Sequence, residues 1–157
     1  MKSVCFTGHR NIKETAELKK ALIKQLVKLI DQGTTDFYAG GAVGWDMLCE
    51  RTVIELREKY PYVKLHLVLP CPAEEQTAKW NENDKREFMD LLSAADTVEI
   101  CSEHYYDGCM KVRNQRLVEL SDVCVCYYNE SNKRSGTGQT VRMAERQGKE
   151  IINLVEA

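Results

Sequence analysis

The sequence predicts an α/β protein with a Rossmann-like, doubly wound sheet, and three observations lead to this prediction. Short runs rich in β-branched residues recur about every 30 residues along the 157-residue chain, which is the length of a βαβ unit. Helical patterns of apolar residues lie between these runs. Most runs are continuously apolar, as in parallel strands that are covered on both faces. Because crossovers are right-handed, the alternation predicts a mainly parallel sheet of about six strands with helices on both faces.

The predicted strands are the apolar runs themselves. In chain order they are Val4 to Thr7, Phe37 to Ala39, Lys64 to Leu69, Thr97 to Cys101, Val123 to Tyr128 and Ile151 to Val155.

The predicted helices are stripes of apolar residues spaced three or four positions apart. The first contains Leu18, Leu22 and Leu26, and Gly33 follows it as a natural C-terminal stop. Four more stripes begin at Trp45, Phe88, Leu117 and Val141. Since the pattern contains no linker or repeat, we expect residues 1–157 to form a single Rossmann-like domain.

Composition excludes several classes of protein. Hydrophobic residues make up 43% of the chain and charged residues 29%, which suffices for a full core. Lys and Arg total 22 against 24 Asp and Glu, and this balance argues against duplex DNA as a partner. Charges interrupt every apolar run well before 18 residues, so no membrane span is expected.

The cysteines predict a reducing compartment. Seven cysteines are spread along the chain, an odd number, and no signal peptide precedes them. We therefore expect a cytoplasmic protein with free thiols. The chain has no C-x-x-C pair, and neither a metal nor a cofactor is expected.

The predicted loops differ at the two edges of the sheet. Loops that lead from a helix into a strand are short, whereas the loops that leave the carboxyl ends of strands carry the glycines and isolated polar groups. In open α/β sheets, ligands bind outside the carboxyl ends of the strands. This asymmetry is the main functional signal of the sequence.

The segment Gly40-Gly41-Ala42-Val43-Gly44-Trp45-Asp46 follows a predicted strand and begins a predicted helix. This is the context of a phosphate-binding turn, because glycine lets the backbone approach an anion and the helix N-terminus offers unpaired N–H groups. The alternative is a tight turn that needs glycine only for its positive φ. Asp46 either complements the helix dipole or accepts a ribose hydroxyl, and it is the candidate catalytic residue.

The segment Ser135-Gly136-Thr137-Gly138-Gln139-Thr140 forms a second turn of this kind before the last helical pattern. Its hydroxyls and glycine amides suit a second phosphate or a sugar. It departs from the dinucleotide fingerprint, because Val141 occupies the third glycine position of G-x-G-x-x-G. The chain also contains no G-x-x-x-x-G-K-[ST] P-loop.

Basic residues complete the predicted site. Gly8-His9-Arg10 follows the first predicted strand, and Arg113-Asn114 lies at the start of the fourth predicted helix. Arginine binds phosphate bidentately, so Arg10 and Arg113 are candidate phosphate ligands. The alternative is that both are ordinary surface charges.

Four segments carry a family resemblance: Phe6-Thr7-Gly8-His9-Arg10, the two glycine turns, and Arg113-Asn114-Gln115-Arg116 with Leu120-Ser121-Asp122. With them the chain resembles the Smf/DprA–LOG (SLOG) superfamily of Rossmann-like proteins, and within it the YpsA-like branch from bacteria and phages. The resemblance implies a pocket for nucleotide-derived ligands such as ADP-ribose or NAD-like molecules. Because relatives in the superfamily often pair, it also implies that a homodimer is compatible with this chain.

The chain departs from two groups of relatives. LOG-type phosphoribohydrolases carry a Gly-Gly-x-Gly-Thr-x-x-Glu turn whose Glu serves in cleaving the N-glycosidic bond, and Thr140 occupies that position here. Asp46, Glu75 or Asp107 would replace this Glu only if the fold brings one of them to the ribose. DprA-like relatives bind single-stranded DNA, but this chain has a net charge of -2 and no basic–aromatic stripe.

Three functional hypotheses follow. The first is the binding or sensing of a nucleotide-derived ligand, such as ADP-ribose, an NAD-like molecule or a nucleoside phosphate. The alternative is a nucleotide-processing N-glycosidase or phosphoribohydrolase-like hydrolase. The second alternative is single-stranded DNA binding.

Overall fold

The computed structural model describes residues 2–132 and 134–155, and its centre is a six-stranded, all-parallel sheet. The strands are β1 (Val4–Gly8), β2 (Asp36–Ala39), β3 (Lys64–Leu69), β4 (Thr97–Ile100), β5 (Val123–Tyr127) and β6 (Glu150–Asn153). Their order across the sheet is β4-β3-β2-β1-β5-β6. The predicted Rossmann-like architecture is confirmed, and every strand end lies within two residues of the predicted one.

Six α-helices connect the strands in the described part of the chain. They are α1 (Ala16–Asp31), α2 (Trp45–Lys59), α3 (Ala73–Gln76), α4 (Glu82–Ala94), α5 (Cys109–Glu119) and α6 (Gly136–Arg146). Local chemistry sets the ends of α1, since the Thr15 hydroxyl accepts the N–H of Leu18 at its start and Gly33, with φ of 105°, follows its end. A short 3-10 turn, Glu130–Asn132, precedes α6.

The helices cover the two faces of the sheet unequally. Along β1, Val4 and Phe6 pack into a core cluster with α1, α2 and α4, whereas Cys5 packs into a second cluster with α5 and α6. Both faces of the central strands are therefore buried, which is why they are continuously apolar. All seven cysteines are free, and six of them are buried.

Strand β4 differs from the expectation that strands are covered on both faces. It lies at the edge of the sheet, and all four of its residues are exposed. Its sequence, Thr-Val-Glu-Ile, alternates between polar and apolar residues, as suits an edge strand that is only partly covered. None of the described helices is long and apolar enough to span a membrane.

The strand order creates a switch point between β1 and β5. After β1, the chain adds β2, β3 and β4 in turn on one side of β1. After β5, which lies on the other side of β1, it adds β6 at the opposite edge of the sheet. The loops after β1 and β5 consequently diverge to opposite faces and leave a crevice at the carboxyl edge.

Candidate functional site

A cavity of about 690 Å³ lies at this crevice. Four parts of the chain line it: the end of β1 and the loop after it, the first glycine turn, one face of α5, and the segment from Asn129 to the start of α6. The lining residues are Phe6, Thr7, Gly8, His9, Arg10, Asn11, Ala42, Asp46, Met110, Arg113, Asn114, Leu117, Asn129, Ser131, Ser135, Gly136 and Thr137. Its size is typical of small-molecule sites.

The end of β1 packs tightly against the start of α2. A Cβ atom on Gly8 would lie 2.3 Å from the ring of Trp45, so only glycine lets the strand pass the buried indole. The carbonyl of His9 accepts the backbone N–H of Trp45 at 3.2 Å. These contacts fix the position from which Arg10, an exposed residue, reaches the cavity.

The ring of His9 joins β1 to the loop after β5. Its Nε2 atom accepts the backbone N–H of Asn129 at 2.9 Å, which requires an unprotonated Nε2. Burial lowers the pKa of His9, which favours the same neutral form. The imidazole is therefore a structural acceptor at the mouth of the site.

The first glycine turn is closed by the protein itself. The backbone N–H of Gly41 donates to Glu50 Oε2 at 3.2 Å, and the N–H of Ala42 donates to Asp46 Oδ2 at 3.2 Å. A Cβ atom on Gly44 would lie 2.2 Å from the carbonyl oxygen of Arg10. The glycines of this turn thus allow close packing of protein on protein, and two of its amides, those of Gly41 and Ala42, have carboxylate partners.

Two carboxyl groups lie on one face of α2 behind this turn. Asp46 is 6% exposed and lines the cavity, whereas Glu50 is 1% exposed and lies behind it. Burial raises the pKa of Asp46 to about 6, although the positive charge of Arg113 opposes this rise. Burial, together with the charge of Asp46, raises the pKa of Glu50 well above its ordinary value. Asp46 therefore titrates in the range that general acid–base catalysis uses.

Arg113 is a buried cation beneath the cavity. Its Nη1 donates to the carbonyl oxygen of Gly40 at 2.5 Å, and its Nε donates to Asn114 Oδ1 at 2.8 Å. A Cβ atom on Gly40 would lie 2.4 Å from the same guanidinium. Burial lowers the pKa of Arg113, with the charge of Asp46 opposing. Arg113 therefore joins α5 to the first glycine turn and brings positive charge under the site.

The second glycine turn is open. Ser135 is the N-cap of α6, and its hydroxyl accepts the N–H of Gly138 at 3.0 Å. No described residue accepts the backbone N–H of Gly136 or Thr137, and both residues line the cavity. A Cβ atom on Gly136 would meet nothing within 4 Å. The first N–H groups of a helix carry partial positive charge, and here they lie at the cavity wall.

Ten of the fifteen predicted ligand residues line the cavity. The five that do not are Gly40, Gly41, Gly44, Gly138 and Thr140. The first three are held against protein atoms within the closed turn. Gly138 donates its N–H to Ser135, and fully buried Thr140 donates its hydroxyl to the carbonyl of Gly136 at 2.9 Å. In the first turn, the N–H groups of Gly41 and Ala42 are already paired with carboxylates, so these two amides are not the unpaired donors that the sequence predicts there.

Sequence reasoning missed seven lining residues, and helical spacing would have found two of them. Met110 and Leu117 lie three residues before and four residues after Arg113, on the same face of α5. Asn129 and Ser131 follow β5. The strand order places the loop after β5 beside the crevice, and so identifies them as cavity residues. Phe6, Thr7 and Asn11 flank the predicted Gly8-His9-Arg10 segment.

The other two carboxylates considered as replacements for a catalytic Glu lie outside the cavity lining. Glu75 accepts the backbone N–H of Tyr105 at 3.1 Å, and Asp107 lies in the exposed loop before α5. Within residues 2–132 and 134–155, no group of three or more His, Cys, Asp or Glu side chains is arranged to hold a metal ion.

Comparison with known proteins gives a family match over nearly the whole chain. The model of the YspA SLOG family matches residues 5–156. A UPF0398 protein from Halalkalibacterium halodurans is 27% identical over 165 residues, which cover 98% of this chain and 86% of the relative.

Solved structures share the fold at low sequence identity. The structure of DNA processing protein A from Helicobacter pylori, described for its single-stranded DNA binding mode, has a TM-score of 0.66 and 20% identity. The similarity covers 96% of this chain but only 63% of the Helicobacter chain. The structural genomics target TM1055 has a TM-score of 0.60 and 16% identity, covering 99% of this chain and 79% of that one.

Proposed function

The chain belongs to the YspA SLOG family, and we propose that it binds or senses a nucleotide-derived ligand in the cavity at the carboxyl edge of the sheet. The ligand class is ADP-ribose, an NAD-like molecule or a nucleoside phosphate. One observation carries the proposal: both glycine-turn segments, the end of β1 and the Arg113 face of α5 line a single cavity of about 690 Å³. A homodimer, a cytoplasmic location and a single-domain organisation stay predictions from the sequence.

In this proposal the phosphate binds at the second glycine turn. The N–H groups of Gly136 and Thr137 donate to its oxygens, and the helix dipole of α6 favours its negative charge. Arg10 lines the same cavity as an exposed residue, and its guanidinium is able to form a bidentate pair with the phosphate. Arg113 contributes through its charge, because three of its N–H groups already have protein acceptors, the third being Met110 Sδ at 3.8 Å.

The ribose binds near Asp46 in the same proposal. The carboxylate of Asp46 accepts a ribose hydroxyl while it keeps the N–H of Ala42. Asn114 lines the cavity, and its Oδ1 is occupied by Arg113, so its amide N–H₂ remains to donate to the sugar. This arrangement assigns the anionic group of the ligand to the second glycine turn and its sugar hydroxyls to Asp46 and Asn114.

A thermal-shift panel tests the proposal with ADP-ribose, NAD, AMP and adenosine. A ligand that binds only the folded state raises Tm, and phosphorylated members are expected to raise it more than adenosine. Arg10→Gln is expected to weaken phosphate-dependent binding about 10-fold or more. Lys13→Gln is the matched control, because Lys13 is exposed in the same loop but does not line the cavity. If no member of the panel changes Tm, the proposal is wrong.

An N-glycosidase or phosphoribohydrolase-like activity is a second candidate, and Asp46 is the observation that favours it. A buried carboxyl group with a pKa of about 6 beside the bound ribose suits proton transfer to a departing base. Base release from AMP or NAD is the assay, with Asp46→Asn as the inactive variant. Ligand binding without base release by the wild type would reject this candidate.

Single-stranded DNA binding is the remaining candidate. It is favoured by the similarity to the Helicobacter pylori protein, whose structure was described for that binding mode. It predicts a steep dependence of affinity on salt, because several phosphate contacts would form.

A further inference from the structure

A cluster of polar side chains crosses three neighbouring strands outside the cavity. It consists of Thr35 just before β2, Asp36 at the start of β2, His66 of β3 and Thr97 at the start of β4, and is called the Thr97 cluster below. In the parallel ladder, His66 pairs with Thr97 on one side and with Tyr38 on the other. None of these residues lines the cavity, so the proposed nucleotide site makes no use of them.

Hydrogen bonds determine which nitrogen of the His66 ring carries the proton. Its Nε2 atom lies 2.7 Å from Asp36 Oδ1, and its Nδ1 atom lies 2.6 Å from Thr97 Oγ1. A carboxylate only accepts hydrogen bonds, so Nε2 is the protonated nitrogen that donates to Asp36. In the neutral ring Nδ1 is then unprotonated and accepts the hydroxyl of Thr97. The carboxylate thus makes the ring a proton acceptor for this hydroxyl.

Further contacts hold the ring and its carboxylate in place. The second oxygen of Asp36, Oδ2, accepts the hydroxyl of Thr35 at 2.9 Å. The ring of Tyr38 stacks on the imidazole of His66, with 4.6 Å between the ring centroids and an angle of 23° between the planes. The His66 side chain is only 14% exposed, whereas Thr97 is an exposed residue. A fixed base therefore lies next to a hydroxyl that a substrate is able to reach.

We propose that Thr97 is the nucleophile of a second site, which takes acyl groups from uncharged carboxylic esters. A hydroxyl that donates to a histidine, itself oriented by a carboxylate, is the constellation of the Ser-His-Asp hydrolases. That constellation recurs on unrelated folds and is recognised by its geometry. Glu99 lies two residues along the same face of β4 and accepts two hydrogen bonds from Arg116, at 2.8 and 3.1 Å. The charge next to the hydroxyl is thus neutralised, which favours an uncharged substrate.

The reaction proceeds in two balanced steps. In the first, Thr97 Oγ1 attacks the carbonyl carbon of the ester while its proton moves to His66 Nδ1. The bond to the alcohol oxygen breaks, the ring returns the proton to that oxygen, and Thr97 keeps the acyl group as an ester. In the second step, water attacks the same carbon and gives its proton to Nδ1. The bond to Thr97 breaks, Oγ1 recovers the proton, and the carboxylic acid leaves.

Reaction with p-nitrophenyl acetate tests the proposal through two readouts. Absorbance measures the release of p-nitrophenol, and mass spectrometry of the digested protein locates the acetyl group, which is expected on Thr97. Thr97→Val keeps the shape of the side chain but removes the hydroxyl. It should slow release about 10-fold or more and abolish the label at this position. Thr97→Ser restores the hydroxyl and should restore both readouts.

Variants of the other members test whether the cluster acts as a unit. Asp36→Asn and His66→Ala should each slow release about 10-fold or more, because the first misorients the base and the second removes it. The double variant H66A/T97V should be no slower than either single variant, since residues that act as a unit have non-additive effects. Ser93→Ala is the matched control, because it removes an exposed hydroxyl of α4 outside the cluster. It should react as the wild type does.

The outcomes separate catalysis from a network that only joins the strands. Equal release by Thr97→Val and the wild type, or acetyl groups only on lysines, would overturn the proposal even if Thr97→Val lowers Tm. The recovery of both readouts in Thr97→Ser excludes misfolding as the cause of the loss. Thermal shifts with ADP-ribose and AMP should be the same in Thr97→Val and the wild type, because Thr97 does not line the cavity. Failure of this proposal therefore leaves the proposed function intact, and the reverse also holds.

Discussion

The two glycine turns share a sequence pattern and a position at the carboxyl edge, yet they differ in what their backbone groups contact. In the first turn, the amides of Gly41 and Ala42 donate to buried carboxylates. In the second turn, the amides of Gly136 and Thr137 have no acceptor among the described residues and lie at the cavity wall. A glycine-rich strand-to-helix turn is therefore an anion site only when the protein leaves its N–H groups unoccupied.

Because of this difference, the two turns have different roles in the candidate site. The first turn packs against the protein and positions Asp46 at the cavity through the N–H of Ala42. Arg113 and Glu50 in turn bind the backbone of this turn. The second turn is exposed backbone at the start of a helix. Substitutions in the first turn should consequently reduce stability, and substitutions in the second turn should change ligand binding.

The largest effect is expected for Gly44→Ala. The added Cβ would lie 2.2 Å from the carbonyl oxygen of Arg10, and the residue has φ of 89°. Overlap and backbone strain together should lower the free energy of unfolding by about 4 kcal/mol. Urea denaturation measures this loss of stability.

Gly33→Ala is the control for backbone strain alone, since φ is 105° there and nothing lies within 4 Å of the added Cβ atom. It should lower the free energy of unfolding by about 1 to 2 kcal/mol. Equal costs would contradict the tight contact.

The next effect concerns the carboxylate that the first turn positions. The pKa of Asp46 is about 6 in the folded protein and 3.8 in an ordinary carboxyl group. Protonated Asp46 therefore contributes stability that is fully present below pH 3.8 and is lost as pH rises through 6. The difference corresponds to about 3 kcal/mol. Between pH 4 and 7, the free energy of unfolding of the wild type should fall by about 2 kcal/mol more than that of Asp46→Asn. Urea denaturation across this pH range measures the difference.

Exposed Asp107→Asn is the control for the pH experiment, because it makes the same chemical change outside the site. Parallel pH profiles of Asp46→Asn and the wild type would show that Asp46 is not desolvated by the first turn.

The second turn is tested by removing one N–H group without removing the helix. Gly136 is the first residue of α6, where proline is tolerated, and Ser135 has ψ of 159°, which suits the residue before proline. Gly136→Pro should weaken binding of ADP-ribose or AMP about 10- to 100-fold through the lost hydrogen bond to phosphate. Gly136→Ala adds a Cβ but keeps the N–H group, so calorimetric titration of the two variants isolates the amide. Equal affinities would contradict phosphate binding at this turn.

The smallest effect is expected at His9, which connects the two regions. Its carbonyl accepts the N–H of Trp45 beside the first turn, and its ring accepts the N–H of Asn129 in the segment that leads to the second. His9→Ala should cost about 1 kcal/mol by leaving that N–H without its acceptor. Because burial lowers the pKa of His9, its contribution is present above the ordinary value of 6.5 and is lost as pH falls through the lowered pKa. A stability loss that is independent of pH between 5 and 8 would contradict this role.

The strands and most helices of the fold could be predicted from local sequence patterns. Continuous apolar runs gave the parallel strands, helical stripes gave five helices, and only the short α3 was not identified as a separate element. The position of the cavity could be predicted from the same strand pattern, because the carboxyl ends of parallel strands share one edge of the sheet. Strand β4 is the exception to the continuous apolar runs, and its alternation of polar and apolar residues agrees with its edge position.

The close packing of the first turn could not be predicted, because it depends on residues that are far away in the sequence. Gly44 is pressed against the carbonyl of Arg10, and Gly40 against the guanidinium of Arg113. By itself, the sequence determined the order of strands and helices and the edge at which polar residues collect, since periodicity and turn chemistry act over a few residues. Only the tertiary structure decided which backbone N–H groups remain for a ligand, because it buries Asp46 and Glu50 of α2 against the first turn, where their carboxylates accept two of its N–H groups.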